Sequence, residues 1–255
     1  MLNENYSIIL AIFAAGAAGF VGAFALMKKT ILAGDVMSHV AIPGLGLAIL
    51  WQINPLIGGA LTLFIGALII SQLERKTTIS SEAAIGVIFA SSVALGALLI
   101  NSKEDLIDAL FGGFSNLSQG EFIFGIASSI FIVAALWLLR NKLIIGLFSE
   151  ELAMAEKIRT SRLNFLFLLL FSLAILCGLR FLGALLAGAL IIVPASAARQ
   201  LTHSLPWFLA CSMFLSVLSM IIGLIISQIY NLELGPTVVV VAAAIFALSL
   251  FKRKD

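Results

Sequence analysis

An acid and an imidazole stand four residues apart in an otherwise apolar stretch of this chain, at Asp35 and His39. Residues i and i+4 share one face of an α-helix, so a helix here would bring the two side chains together. Carboxylate oxygen and imidazole nitrogen are both ligands of divalent transition metals. An ionisable pair in apolar surroundings is costly and often marks an ion pathway. The spacing predicts a metal-handling site, with a structural ion pair to Lys28 or Lys29 as the alternative.

A Pro43-Gly44 step follows the pair. Proline has no N–H, so it leaves a carbonyl of the preceding turn without its helical hydrogen bond. Interrupted helices of this kind coordinate ions in several transporter folds. The step therefore favours ion handling over a plain ion pair, and it predicts a helix that is interrupted close to the site.

The composition is that of a membrane protein. Of the 255 residues, 62% are hydrophobic and 11% are charged, and the mean hydropathy is +1.17. Soluble domains do not need this much apolar surface. We therefore predict a single all-α domain over residues 1–255, a polytopic membrane bundle of eight or nine transmembrane helices. The net charge of +2 carries no nucleic-acid signature. The chain has no P-loop and no catalytic motif, so neither an enzyme nor a permanently bound cofactor is predicted.

The apolar runs define the expected spans, since a crossing takes about 17–25 residues. Nine runs are long enough, or nearly so, at about 7–27, 38–52, 56–73, 83–100, 122–139, 163–179, 181–199, 207–229 and 236–251. The second run is short and contains Pro43, so a re-entrant segment and eight spans form the competing prediction. A Gly-rich piece at 106–118 is too short to cross. Small residues at spacing four, such as Gly183 and Ala187, predict close packing of helices.

Basic residues predict the orientation. With nine spans and the N-terminus outside, 13 of the 15 lysines and arginines fall on the cytoplasmic side. Cytoplasmic loops of membrane proteins are enriched in these residues. The pattern predicts an external N-terminus and a cytoplasmic C-terminus. The largest cytoplasmic loop is expected at about 141–162, with a short helix at about 149–158 because Ser149 precedes two acids. That helix is either a solvated connector or a docking surface for a cytoplasmic partner.

Residues Gly34 to Gly44 resemble the Gly-Asp-x-x-Ser-His-x-x-x-Pro-Gly signature of the membrane permeases of zinc and manganese ABC importers. Three further segments agree in the same order, namely residues 81–89, residues 194–199 and the Gly235-Pro236 helix start. The likeness covers essentially the whole chain. In this family, Asp35 and His39 match the acid and the imidazole of the translocation path, which makes them the predicted metal residues.

The resemblance also implies partners and a location. It implies a bundle like that of type II ABC importers, working as a homodimer of permeases in the lipid of a prokaryotic cytoplasmic membrane. A separate cytoplasmic ABC ATPase hydrolyses ATP, and an extracellular or periplasmic metal-binding protein delivers the metal. The transported ion is Zn²⁺ or Mn²⁺, with zinc favoured by the compact length. A manganese or iron importer of the same family, or an ATP-independent ion transporter or channel, remains open.

The resemblance assigns a role to the cytoplasmic loop as well. Its segment 151–158 matches the coupling helix that meets the ATPase, which predicts coupling residues Glu150, Glu151, Ala153 and Ala155. The sequence departs from the family at Lys157, where a glycine is common.

Overall fold

The computed structural model describes residues 2–28, 31–76, 81–100, 102, 107, 109–110, 118–148 and 150–251. Within these ranges, the side chains of residues 2–5, 31–35, 74–76, 81–84, 148, 150, 180–181 and 185–186 lie outside the description. The regular structure of the described residues is α-helical throughout, which confirms the all-α prediction. The helices are α1 (Leu2–Met27), α2 (Ile31–Leu50), α3 (Pro55–Lys76), α4 (Ser81–Leu99), α5 (Gln119–Phe148), α6 (Glu150–Ala155), α7 (Thr160–Leu201), α8 (Leu205–Tyr230) and α9 (Leu234–Leu250).

The predicted apolar runs all coincide with helices. Among the described residues, six segments are long and apolar enough to cross a membrane by length and composition: Tyr6–Met27, Pro55–Leu73, Gln119–Leu147, Thr160–Leu179, Leu182–Leu201 and Leu205–Tyr230. Three shorter apolar helices accompany them, at Val36–Leu50, Ile85–Leu99 and Leu234–Leu250. Together these segments account for the nine predicted runs. Of the piece predicted at 106–118, only residues 107, 109, 110 and 118 are among the described residues.

Helix α7 is a hairpin of two helical arms. Its 42 residues are interrupted at Gly183, whose φ of 70° and ψ of 175° belong to a region that only glycine adopts readily. A Cβ placed on Gly178 would lie 3.7 Å from Cβ of Ala187. In a straight helix these positions would be about 13 Å apart, so the two arms fold back against each other. Gly183, predicted only as a packing residue, is in fact the turn between two spans.

One end of the bundle gathers basic side chains. Lys28, just beyond α1, donates to Oδ1 of Asn164 over 2.7 Å, near the start of α7. Arg199 and His203, at the other terminus of α7, line a cavity together with the last turn of α1. Both arms of α7 therefore meet the same end of α1. We call this the basic end and define it by Lys28, Arg162 and Arg199. The predicted threading places these three residues on one side of the membrane.

Helix α2 runs from the basic end to the opposite end of the bundle. It is helical from Ile31 to Leu50, with Pro43 inside it. Asn54, just beyond α2, donates to Oε1 of Glu121 over 3.0 Å at the start of α5. The last turns of α5 lie at the other end of the bundle, where they share the cavity of Arg199. The predicted interruption at Pro43 is therefore wrong, and a re-entrant 38–52 segment does not fit this path.

Glycine sets the packing of α2 against its neighbours α3 and α4. A Cβ on Gly44 would clash with the carbonyl oxygen of Gly58 on α3, and a Cβ on Gly58 would clash with that of Gly44. A Cβ on Gly96 of α4 would clash with the side chain of Ile42. Helix backbones approach this closely only where small residues line the contact. The glycine after Pro43 thus holds α2 against α3 and does not break the helix.

Candidate metal site and coupling helix

Both residues of the predicted metal site lie on α2. The continuous helix from Ile31 to Leu50 puts Asp35 and His39 one turn apart on the same face. The side chain of Asp35 is outside the described residues. The backbone therefore gives the relative position of the two residues, and side-chain distances are given for His39 only.

His39 is buried where α2 packs on α4. Only 7% of its surface is exposed, and its ring lies 4.7 Å from the ring of Phe89, in an edge-on arrangement at 68°. Oγ of the buried Ser38 lies 3.4 Å from Nδ1 of His39, at the long end of hydrogen-bond distances. Neighbouring positions of a helix usually point to different faces, but these two side chains are close enough to touch. In the tautomer in which Nδ1–H donates to the Ser38 hydroxyl, Nε2 carries the lone pair that can bind a metal.

Pro43 changes the backbone beside His39 while the helix continues. The carbonyl of His39 is four residues before Pro43, and proline has no N–H to donate to it. Residue 43 therefore does not make the regular helical hydrogen bond to this oxygen. An imidazole, a carboxylate one turn away and this oxygen are the types of group that can replace part of the water shell of a divalent ion.

The predicted loop at about 141–162 is largely helical. Helix α5 continues to Phe148, and α7 begins at Thr160. The buried Leu143 and the half-buried Ile144 and Leu147 extend the apolar face of α5 beyond Arg140, which is why the helix does not end at the first basic residue. The segment predicted as the cytoplasmic loop therefore contains the end of α5, all of α6 and the start of α7.

The predicted coupling segment contains a short helix with a defined end. Helix α6 spans Glu150–Ala155, and Lys157 follows in the left-handed conformation with a φ of 56°. The N–H of Lys157 donates to the carbonyl of Met154 over 3.0 Å, and that of Ile158 donates to the carbonyl of Ala153 over 2.8 Å. These two bonds form a Schellman motif, whose left-handed position favours glycine. This backbone position favours glycine, the residue that the family resemblance leads us to expect where this chain has Lys157.

The surface of α6 mixes charged and apolar groups. Glu151 and Ala155 are exposed, whereas Ala153 is fully buried and α6 packs on α5. The side chain of Glu150 is outside the described residues. Leu152 and Met154, which sequence reasoning missed, are 53% and 67% exposed. Such large apolar side chains on an exposed short helix suit a protein contact.

A second feature that the sequence reasoning missed stabilises the start of α5. The N–H of Glu121 lies 3.2 Å from Oγ of Ser118, and the N–H of Ser118 donates to Oε2 of Glu121 over 2.9 Å. This reciprocal pair is a capping box, which the Ser-x-x-Glu spacing could have revealed. Oε1 of the same carboxylate accepts from Asn54. The turn between α2 and α3 is thereby tied to the start of α5.

Comparison with known proteins gives a consistent result over nearly the whole chain. The sequence profile described as "ABC 3 transport family" matches residues 5–253. The "High-affinity zinc uptake system membrane protein ZnuB" of Haemophilus influenzae is 33% identical over 238 residues, covering 92% of this chain and 91% of that protein. The "Manganese transport system membrane protein MntC" of Halalkalibacterium halodurans is 30% identical, covering 91% of this chain and 81% of that protein.

A solved structure shares the fold. The structure titled "PsaBC from Streptococcus pneumoniae in complex with Fab" superposes with a TM-score of 0.87 at 28% sequence identity. The match covers 99% of this chain and 92% of the other. The helical bundle described above is therefore one that an experimentally determined membrane assembly also adopts.

Proposed function

The chain belongs to the ABC 3 transport family, and we propose that it is the membrane subunit of an ATP-driven importer whose cargo is Zn²⁺. The observation that carries the proposal is a buried imidazole, His39, one helical turn from Asp35 on a helix that runs from end to end of the bundle. Relatives over most of its length are named as zinc and manganese transport proteins. The chain itself performs no covalent chemistry, since ATP hydrolysis belongs to a separate subunit.

Transport requires a site that binds the ion and also releases it. Two protein ligands per chain, Asp35 and neutral His39, replace only part of the water shell, so the ion is held loosely. We propose that the ion moves between two copies of the chain, each presenting its α2, after delivery by an extracellular or periplasmic binding protein.

The nitrogen ligand favours zinc. Imidazole suits Zn²⁺, whereas Mn²⁺ prefers sites made of carboxylate, carbonyl and water oxygens. The second candidate function is manganese import, which the names of several relatives support. The two functions would use the same fold and the same contact with the ATPase, and they differ only in the transported ion.

Coupling to ATP is assigned to α6. Its exposed Glu151, Leu152, Met154 and Ala155 form the proposed contact with a cytoplasmic ABC ATPase. We place the basic end in the cytoplasm, because lysine and arginine are enriched on that side of membrane proteins. The N-terminus then lies outside and the C-terminus inside, in the cytoplasmic membrane of a prokaryote.

The test is uptake of radioactive zinc by a metal-starved strain that depends on this chain. Asp35→Ala and His39→Ala are each expected to reduce ATP-dependent uptake to background, because each removes one of only two side-chain ligands. Glu233→Ala, which removes an exposed acid at the start of α9, is the control and is expected to leave uptake unchanged. Membrane abundance and ATPase association are measured for every variant.

Three outcomes would each contradict part of the proposal. Wild-type uptake by both site variants would remove the site assignment. Zinc transport by the chain in proteoliposomes without an ATPase would favour an ATP-independent transporter. Competition by unlabelled Mn²⁺ at lower concentrations than unlabelled Zn²⁺ would identify manganese as the cargo.

A further inference from the structure

Three helices that the proposed metal path does not use, α1, α5 and α8, border two cavities on one side of the bundle. The first, here the basal cavity, has a volume of about 490 Å³, and its lining includes Leu26, Ile144, Leu147, Arg199, His203 and Phe208. The second, here the apolar groove, has a volume of about 460 Å³, and its lining includes Phe13, Gly16, Ala134, Trp137 and Met213. Both volumes fall in the range of small-molecule sites, roughly 300–1,000 Å³.

The basal cavity is suited to an anion. Its described lining contains Arg199 and His203 and no carboxylate. The guanidinium of Arg199 lies 5.7 Å from the ring centroid of Phe208, which holds it at the cavity wall. Leu205, which begins α8, also lines the cavity, and Ser204 makes no side-chain hydrogen bond to cap that helix. The positive dipole end of a 26-residue helix and the N–H groups of Leu205 and Trp207 therefore add to the charge of Arg199, whereas Pro206 has no N–H.

Arg199 and His203 have a simpler explanation that does not account for the cavity. Cations near the C-terminus of α7 complement its dipole, and the sequence alone suggests no more than that. Dipole complementarity requires only proximity to the last carbonyls of the helix. It does not explain why the same two side chains border a cavity that extends to α1, α5 and α8.

The apolar groove lies further along α1 and α5 than the basal cavity, towards the bilayer centre. On α1, Phe13 of the groove and Leu26 of the cavity are 13 residues apart, and on α5 the same holds for Ala134 and Leu147. At 1.5 Å per residue both separations are about 20 Å along the helices. One leaflet contributes about half of a hydrocarbon core of ~30 Å. The groove therefore lies at acyl-chain depth when the basal cavity lies at the headgroups.

Trp137 lies between the acyl-chain level of the apolar groove and the headgroup level of the basal cavity. Its ring lines the groove, and the guanidinium of Arg140 stacks 3.9 Å from its centroid. Tryptophan and arginine are typical of the membrane–water interface. Helix α5 extends beyond Arg140 to Phe148, so Ile144 and Leu147 lie at or past the headgroup level.

We propose that this side of the bundle binds one anionic phospholipid, with its phosphate at Arg199, His203 and the start of α8, and an acyl chain in the apolar groove. Basic pockets between transmembrane helices are known to select acidic headgroups on the cytoplasmic side. A free phosphate would use the basal cavity alone. A lipid uses both cavities, and their alignment along α1 and α5 favours the lipid.

The test is native mass spectrometry of the full-length chain, purified with its partner ATPase and exchanged into detergent with added phosphatidylglycerol or phosphatidylcholine. The wild type is expected to retain phosphatidylglycerol at least tenfold more than phosphatidylcholine. R199Q/H203Q is expected to lose that preference. The matched control K142Q removes an exposed charge from α5 that does not line either cavity, and it is expected to bind as the wild type does. A134F fills the groove and is expected to weaken retention severalfold.

Several outcomes would overturn the proposal. Equal retention of phosphatidylglycerol and phosphatidylcholine by the wild type would overturn it. This comparison does not require the double variant. Unchanged retention by R199Q/H203Q would exclude these side chains. Competition by inorganic phosphate together with normal binding by A134F would indicate a free-anion site. Conversion of a dimer to a monomer by A134F, seen in the same spectra, would show that a second copy covers the groove.

Discussion

Replacing Lys157 by glycine should stabilise the end of the coupling helix. Lys157 has a φ of 56°, and the left-handed conformation costs an L-residue roughly 1–2 kcal/mol. Glycine removes that cost, but it loses more chain entropy on folding, which offsets roughly 0.5–1 kcal/mol. The net gain is about 0.5–1 kcal/mol, which corresponds to a twofold to fivefold change in an opening equilibrium.

Amide hydrogen exchange measures this gain locally, because the affected bonds are known. The N–H of Ile158 donates to the carbonyl of Ala153 over 2.8 Å and is released when the motif opens. In Lys157→Gly its exchange, corrected for intrinsic rate, should slow twofold to fivefold relative to the wild type. Global melting is a poorer readout, since α6 has only six residues.

A matched variant separates the backbone from the side chain. Lys157→Ala removes the same amine but keeps the left-handed strain, so its exchange should stay close to wild type. Asn231, at the end of α8, also adopts a positive φ, of 51°, but asparagine tolerates it better. Asn231→Gly should therefore gain less than Lys157→Gly. Equal rates in Lys157→Gly and Lys157→Ala would refute the strain argument.

Two glycine predictions concern the bundle itself, and thermal unfolding in detergent measures both. Gly183→Ala forces an L-residue into a region that costs about 1–3 kcal/mol, so the midpoint should fall by several degrees; an unchanged midpoint would mean that the α7 turn does not need glycine. Gly44→Ala places a Cβ against the carbonyl of Gly58, and such overpacking costs about 1–3 kcal/mol. In the control Gly86→Ala, the added Cβ meets no atom within 4 Å. The stability of this variant should be unchanged or rise by about 0.5–1 kcal/mol. Similar losses of stability in Gly44→Ala and Gly86→Ala would contradict the close contact of α2 and α3.

The sequence predicted the helices well because membrane helices need long apolar runs and little else. Each of the nine runs became a helix or a helical arm, including the two arms of α7. The sequence did not reveal the roles of two of its glycines, since Gly183 is predicted as a packing residue and Gly44 as part of a helix interruption. Gly183 provides a turn and Gly44 a close approach to α3, and only the folded backbone distinguishes these roles.

The candidate site was only partly accessible from the sequence. The spacing of Asp35 and His39 predicted a shared helix face, because helical periodicity is local. Burial of His39 beside Phe89 depends on how α4 packs against α2, which no local pattern encodes. The expected break at Pro43 did not occur, because the contacts of α2 with α3, α4 and α7 outweigh the loss of one backbone bond.

The length of α5 has a mechanical consequence. Its 30 residues form a rod of about 45 Å, longer than a hydrocarbon core of ~30 Å. At the basic end α5 is followed by α6. At the other end, Glu121 of α5 accepts a hydrogen bond from Asn54, in the turn that follows α2. If α6 is the proposed contact with the ATPase, a displacement of α6 would act on one end of α5, and the Asn54–Glu121 hydrogen bond would link the other end of α5 to the turn after the helix that carries His39.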